Sequence, residues 1–385
     1  MTPAPQDGPR VVVAGVYLDP LRRPPVELMT SLRDFGRVHA AVCRQGAHVT
    51  IVQAAWRDDA CEIDGVACHF VREERPFVSV PGSRDHRCPP RRLFERVAKL
   101  SPDVIHFEGL IEPRIVRSLA RSVPGVPILA QDHASKVPRN WRRWLWRWGF
   151  APLAGVTFTA RAQADPFKAV GIFRQDLPVF EVIEGSTPFV PGDQRAARAE
   201  TGLDGDPCLL WVGNLDSNKD PLTVLDAMER ATAIPNARLH MCYRHAPLLD
   251  AVRARAARPR LADRVIFHGE VGYPAIQDYF RAADFLVQAS HVEGSGYGVI
   301  EALACATTPL VTDIPSFRTI TGEGEVGALV PVGDVVALAR ALETWSLRDR
   351  SALRCHARAH FDRRLSFDAI AGQLMVAYDG VRQPA

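Results

Sequence analysis

Residues 284–313 read DFLVQASHVEGSGYGVIEALACATTPLVTD, and the reading of this stretch decides the fold. Phe285–Val287 is a short apolar run suited to a buried strand, followed by a loop that carries His291 and Glu293. The turn Gly294-Ser295-Gly296 leads into a helix expected over about Tyr297–Ala306, and Leu310–Val311 resumes as a strand that ends at Asp313. Strand, glycine turn, helix and strand make a βαβ unit, whose helix start favours anionic oxygens. Glu293 and Glu301 stand eight residues apart. With a helix beginning near Gly296, Glu301 falls on its second turn and Glu293 in the loop ahead, so both carboxylates reach a ligand lying over the helix N-terminus.

A chain of 385 residues exceeds one ordinary core and calls for two domains. Charged residues are 24% and hydrophobic ones 47%, which excludes a disordered chain. The formal charge of +3 gives no global argument for nucleic acid as a partner. The eight cysteines are dispersed with no CxxC pair, and Cys61 and Cys68 lack the second pair that a zinc site needs. Reduced, buried thiols suit a cytoplasmic protein. The start, MTPAPQDGPR, has no apolar core of a signal peptide, and no window reaches the about 18 apolar residues of a membrane span. Peripheral attachment at the inner face of the membrane remains open on these grounds.

In the first half, Arg10–Val16 is a strand and Val38–Gly46 has helical spacing before a strand at His48–Val52. Tyr17–Pro25 (YLDPLRRPP) is a proline- and arginine-rich loop suited to the mouth of a cleft. From Asp59 to Pro90 the pattern predicts irregular chain, with one short strand at Ala67–Val71 and a mobile stretch around Ser83–Arg92. Strands then recur at Asp103–Phe107, Pro127–Gln131, Gly155–Thr159 and Val179–Ile183, separated by helices. That alternation means a parallel sheet covered by helices, with ligands beyond the carboxyl ends of the strands. His106, Glu108, Asp132, His133 and Glu184 are placed on that edge, and Ser135 and Lys136 cluster with His133.

Trp141–Gly149 (WRRWLWRWG) interleaves four of the seven tryptophans with Arg142, Arg143 and Arg147. On a helix, Trp141, Trp144, Leu145 and Trp148 share one face. That face either packs on the domain or offers tryptophan and arginine to an anionic membrane surface.

The second half repeats the alternation. Pro188, Pro191 and Gly192 are hinge material, so the expected division is residues 1–187, 188–360 and a terminal helical segment 361–385 that straps back to the first domain. Cys208–Val212 is a buried strand ending at Gly213-Asn214, and Lys219 precedes a helix opened by Pro221. Arg238–Tyr243 delivers Arg244, and Arg264–Phe267 delivers His268, Gly269 and Glu270. No G-x-G-x-x-G follows the first strand, which counts against a nicotinamide or flavin enzyme, and no phosphate loop of the ATPase type is present. Asp204 and Asp206 form a D-x-D at the wrong end of the sheet for a metal on a nucleotide, and read as turn chemistry.

Glu293-Gly294-Ser295-Gly296-Tyr297-Gly298 with Glu301-Ala302-Leu303-Ala304, together with WVGNLDSNKDP (Trp211–Pro221) and PVGD (Pro331–Asp334), resembles the retaining glycosyltransferases of family 4. The resemblance is strongest over residues 179–345. It implies an α/β GT-B fold, two Rossmann-like domains facing across a cleft, the first for the acceptor and the second for the nucleotide sugar. It implies a UDP- or GDP-sugar donor, no tightly bound cofactor and no metal. By the same resemblance Glu301 takes the ribose hydroxyls, Glu293 meets the sugar, and Ser295, Gly296 and Tyr297 present N–H groups. Lys219 resembles the diphosphate lysine beside Gly213, the backbone near Gly269–Tyr273 resembles the wall at the base, and His133 resembles a histidine at the transferred sugar. The family's arginine falls on Asn214 here, so Arg244 or Arg318 is expected to supply the missing charge. The acceptor is a glycan, a lipid-linked sugar or a small molecule. A phosphorylase, an epimerase and a non-catalytic sugar-nucleotide-binding protein are the rival readings.

Overall fold

The computed structural model describes residues 8–31, 34–73, 89–110, 112–139 and 142–383. The chain divides into two compact units, one built from residues 1–185 with 367–385 and the other from residues 186–366.

The first unit carries strands β1 (Arg10–Gly15), β2 (His48–Ala55), β3 (Asp59–Ile63) and β4 (Val66–Arg72). Four more follow: β5 (Val104–Glu108), β6 (Ile128–Gln131), β7 (Gly155–Phe158) and β8 (Val179–Glu181). Helices α1 (Pro25–Ser31), α2 (Phe35–Arg44), α3 (Arg91–Lys99), α4 (Pro113–Ser122), α5 (Arg142–Phe150) and α6 (Asp165–Ala169) lie between them. The sheet order is β3-β4-β2-β1-β5-β6-β7-β8, parallel throughout except for β3 against β4. Strands β1, β6 and β7 are buried along nearly their whole length, which is why they read as continuous apolar runs rather than alternating ones.

In the second unit, helix α7 (Gln194–Thr201) precedes β9 (Cys208–Val212), α8 (Pro221–Arg230), β10 (Arg238–Cys242), α9 (Leu249–Ala256) and β11 (Val265–Gly269). Then come α10 (Ile276–Ala282), β12 (Phe285–Gln288), α11 (Tyr297–Ala304), β13 (Thr308–Thr312), α12 (Pro315–Thr321), β14 (Ala328–Val330), α13 (Val335–Ser346) and α14 (Arg350–Arg364). The all-parallel order β11-β10-β9-β12-β13-β14 reverses direction between β9 and β12. Such a switch point is where an open α/β sheet leaves a crevice at its carboxyl edge. Asp204 and Asp206 sit at the opposite edge, where Arg238 and Arg350 hold their carboxylates.

Helix α15 (Phe367–Arg382) belongs to the first unit, so the expected terminal helix does cross back. The Gln373 amide oxygen accepts from the Ile183 N–H at 2.9 Å, and Arg44 pairs with Asp368 at 2.6 Å. The Tyr378 hydroxyl, fully buried, hydrogen-bonds His106 Nδ1 at 2.7 Å.

The structure corrects the sequence reading in several places. Asp59–Ile63 is not irregular: it forms a hairpin with β4 through Asp64 and Gly65, both at positive φ, the geometry of a tight hairpin turn. The expected loop ends at Pro25, where a helix begins that the sequence reading did not name, Pro25–Ser31. The stretch expected to be mobile lies, over residues 83–88, outside the described residues. On α5 the apolar partners are not the expected ones. Trp146 and Phe150 pack edge to face at 5.3 Å, with Phe167 stacked on Trp146, whereas Trp144 is 61% and Trp148 40% exposed. Trp141 lies outside the described residues. Gly149 explains the close approach of α5 to α4, since a Cβ there would stand 2.3 Å from Pro113 Cβ.

Replacing Tyr378 by Phe leaves His106 Nδ1 buried without its partner, and should lower unfolding stability by about 1–3 kcal/mol. Chemical denaturation measures this, and an unchanged midpoint with unchanged slope refutes it.

Candidate functional site

Each unit gathers its candidate residues at the carboxyl edge of its sheet. In the second unit, the loops after β9 and β12 flank the switch point and are joined to one another. The Asn218 side chain accepts from the Val292 N–H at 3.2 Å and donates to the Val292 carbonyl at 3.0 Å. The His291 N–H donates to the Asn218 carbonyl at 2.8 Å. Asp216 shapes the first loop by accepting from the N–H groups of Asn218 and Lys219, at 3.0 and 2.9 Å. Asp220, left-handed at φ 43°, caps α8 on Thr223 and also meets His291 Nε2 at 3.1 Å. This register brings Lys219 Nζ onto the Glu293 carboxylate, so two of the expected residues form a partly buried ion pair.

The loop then turns at Gly296 into α11. Gly296 is left-handed, with φ 63°, and a Cβ there would press on Ile320 at 2.7 Å, so both backbone and space favour glycine. No side chain caps α11 and its first turn holds no acidic residue, so nothing on the helix itself neutralises its positive end. Ser295 and Tyr297 flank this start, partly buried. Glu301 is on the second turn, 6% exposed, as the spacing predicts. Gly213 packs its backbone against the stem of Lys219, while Asn214 is exposed. Arg244 follows β10 on the same edge, is exposed, and makes no ion pair among the described residues. Arg318 is committed elsewhere: it forks onto Asp313, with Nη2–Oδ2 at 2.6 Å, and reaches Glu323 at 3.4 Å. Gly269 ends β11 at φ 69°, and its carbonyl accepts from the Tyr243 N–H at 2.7 Å.

In the first unit, the ends of β5, β6 and β8 converge on His133. Its Nε2 lies 2.7 Å from Glu108 and its Nδ1 2.6 Å from Glu184. An ionised carboxylate only accepts, so both ring nitrogens must carry protons and the ring is an imidazolium. Burial opposes that charge, but the hydrogen bonds and charges of Glu108 and Glu184 outweigh it and push His133 up to about 11. The turn is tight: Ala134 is left-handed at φ 58°, and Asp132 accepts from the Ser135 N–H at 3.0 Å. Burial raises the Asp132 carboxyl. Lys136 is exposed. His106 does not reach the edge. It is fully buried, burial pulls its pKa down, and its partner is Tyr378, so it belongs to the interior rather than to a ligand.

Two features escaped the sequence reading. Asn218 appeared only as a loop residue, although a side chain with one donor and one acceptor beside a lysine is suited to bridging a backbone. Glu108 and Glu184 were placed at the edge without a role, because 76 residues separate them in the chain. Among the described residues, no group of three or more His, Cys, Asp or Glu is arranged to hold a metal, and no helix is long and apolar enough to cross a membrane.

A family model described as glycosyl transferases group 1 matches residues 193–360. That segment, less than half of the chain, is similar to the glycosyl transferases group 1 family. The match takes in Lys219, Arg244, Gly269, Glu293 and Glu301 and excludes His133. The chain is 33% identical over 200 residues to a D-inositol 3-phosphate glycosyltransferase of Geodermatophilus obscurus, an alignment covering 49% of this chain and 44% of that one. It is 26% identical over 275 residues to a GDP-mannose:cellobiosyl-diphosphopolyprenol alpha-mannosyltransferase of Xanthomonas campestris, covering 69% and 68%. The chain thus spans less than half the length of the first of these relatives. The sucrose-phosphate synthase of Thermosynechococcus elongatus overlays with a TM-score of 0.66 at 20% identity, over 96% of this chain and 98% of that one. The shared fold is GT-B, with two Rossmann-like units and a terminal helix that returns to the first.

Because the folded-state value of His133 lies above the ordinary 6.5, its contribution to stability is complete below about pH 6.5 and fades as the pH rises toward 11. Carbon-detected NMR of the ring should show it protonated through neutral pH, and Glu184→Gln should bring its titration back toward 6.5. A wild-type midpoint near 6.5 would refute the clamp.

Proposed function

We propose that the protein is a retaining glycosyltransferase that moves a sugar from a UDP- or GDP-sugar to a hydroxyl acceptor. The observation that carries this reading is the Lys219–Glu293 pair at the switch point, in the loops that lead into α8 and α11. Cleaving the bond from the anomeric carbon to the diphosphate leaves negative charge on a phosphate oxygen and positive character on the carbon. Lys219 and the N–H groups at Ser295, Gly296 and Tyr297 meet the diphosphate, and Glu293 faces the sugar once the lysine turns to phosphate. Glu301 takes the ribose hydroxyls and the backbone from Gly269 onward holds the base. The acceptor oxygen attacks the same face that the diphosphate leaves, and its proton passes to the departing phosphate oxygen. Configuration is kept, and no step calls for a metal.

The second unit is the donor domain on this reading and the first unit selects the acceptor. His133 acts on the transferred sugar when Glu108 or Glu184 yields one imidazolium N–H to a sugar hydroxyl. The acceptor is the hydroxyl of a glycan, a lipid-linked sugar or a small molecule. The Xanthomonas relative is named for a diphosphopolyprenol acceptor, which favours the lipid-linked class. Arg244 supplies the second cation that Asn214 cannot, since Arg318 is held by Asp313.

Calorimetry with a panel of UDP- and GDP-sugars, followed by transfer and donor-hydrolysis assays, tests the proposal. Lys219→Ala should lower kcat/KM roughly 100- to 1,000-fold, and Arg244→Ala about tenfold or more through a lost charged hydrogen bond. Arg318→Ala should matter no more than a surface arginine. Donor binding without transfer or hydrolysis, whatever acceptor is offered, identifies a sugar-nucleotide-binding protein instead.

A further inference from the structure

From Ala134 to Ala164 the chain contains no aspartate or glutamate, yet it contains Lys136, Arg139, Arg142, Arg143, Arg147 and Arg161. Helix α5 lies in the middle of this run. Its Trp144 and Trp148 are one turn apart and exposed, with Arg143 and Arg147 on the adjoining stripe, also exposed. Arg143 Nε donates to the Pro138 carbonyl at 3.4 Å, fixing the helix start to the loop that carries Lys136 and Arg139. Arg117 of α4 donates to the Trp148 carbonyl at 2.9 Å and lies 4.5 Å from the centre of its ring, which orders the side chain without covering it.

A second feature adjoins the helix. A pocket of about 380 Å³ is lined by Phe150, Ile172, Phe173 and Leu177, all buried, together with the exposed Arg147 and Arg174. Arg174 also pairs with Asp176 at 3.1 Å. An apolar floor beside guanidinium groups suits a molecule that is itself apolar at one end and anionic at the other.

We infer that α5, with the loop before it and this pocket, is a docking surface for an anionic lipid bilayer. Tryptophan is the side chain that settles at the boundary between headgroups and acyl chains, and the surrounding cations match the sign of an anionic leaflet. Nucleic acid would satisfy the arginines, but gives no reason for two exposed indoles, one of them ordered by Arg117, beside an apolar pocket. The inference is independent of the chemistry proposed above: a protein that fails every donor assay still docks.

The full chain is tested by co-sedimentation with vesicles of phosphatidylcholine alone and of phosphatidylcholine with added phosphatidylglycerol. Binding is expected to the anionic vesicles only, to weaken with salt, and to fall roughly fivefold for each of Arg143→Ala and Arg147→Ala. Brominated lipid should quench tryptophan fluorescence of the wild type, and the quenching should disappear in Trp144→Phe/Trp148→Phe with the circular dichroism spectrum unchanged. Equal binding to both vesicle types, or quenching that survives in the double variant, overturns the assignment. So does duplex DNA competing off the vesicles while Trp144→Phe/Trp148→Phe binds them as the wild type does.

Discussion

The amide of Asn218 bridging the backbone of Val292 is the interaction on which the second unit's candidate site depends. At a switch point the helices that follow the two central strands leave on opposite faces of the sheet, so the loops between them diverge and a crevice opens. Without a cross-link those loops would be free to drift. Asn218 and His291 fix their register, and the neighbours in sequence follow: Lys219, next to Asn218, meets Glu293, next to Val292. The ion pair is therefore a consequence of a backbone pairing, not its cause. A partly exposed pair would contribute little to stability by itself.

The first unit solves a related problem differently. There one imidazolium is held between two carboxylates, a cluster with an excess negative charge, and the cation is created by its partners rather than carried intrinsically. Behind it, the neutral His106 and the Tyr378 hydroxyl form a buried layer. The edge of this sheet is charged and its interior is polar but uncharged.

Much of this was legible in the sequence, for physical reasons. Strands buried on both faces produce apolar runs that stand out, and the carboxyl end of each run named the edge residues directly. Gly296 and the spacing to Glu301 gave the helix start because a left-handed turn close against Ile320 favours glycine. What stayed hidden falls into two kinds. The β3–β4 hairpin was missed because its edge strand is half exposed and weakly apolar, although Asp64-Gly65 carried the turn signal. The roles of Asn218, Glu108 and Glu184, and the outward face of α5, depend on partners distant in the chain. Helical periodicity grouped Trp144 with Trp148 correctly, but which stripe turns inward was decided by Phe167 and Pro113, whose positions no local pattern contains.

Helix α15 completes the core of a unit whose other elements all precede residue 186. A chain emerging from the ribosome therefore holds an N-terminal lobe without the partners that α15 brings to the Ile183 N–H and the His106 ring until almost 200 further residues have been made. At about 5–20 residues per second, that interval is on the order of 10–40 seconds. The second unit ends at Ser366, directly before α15, so its chain is complete before that of the first.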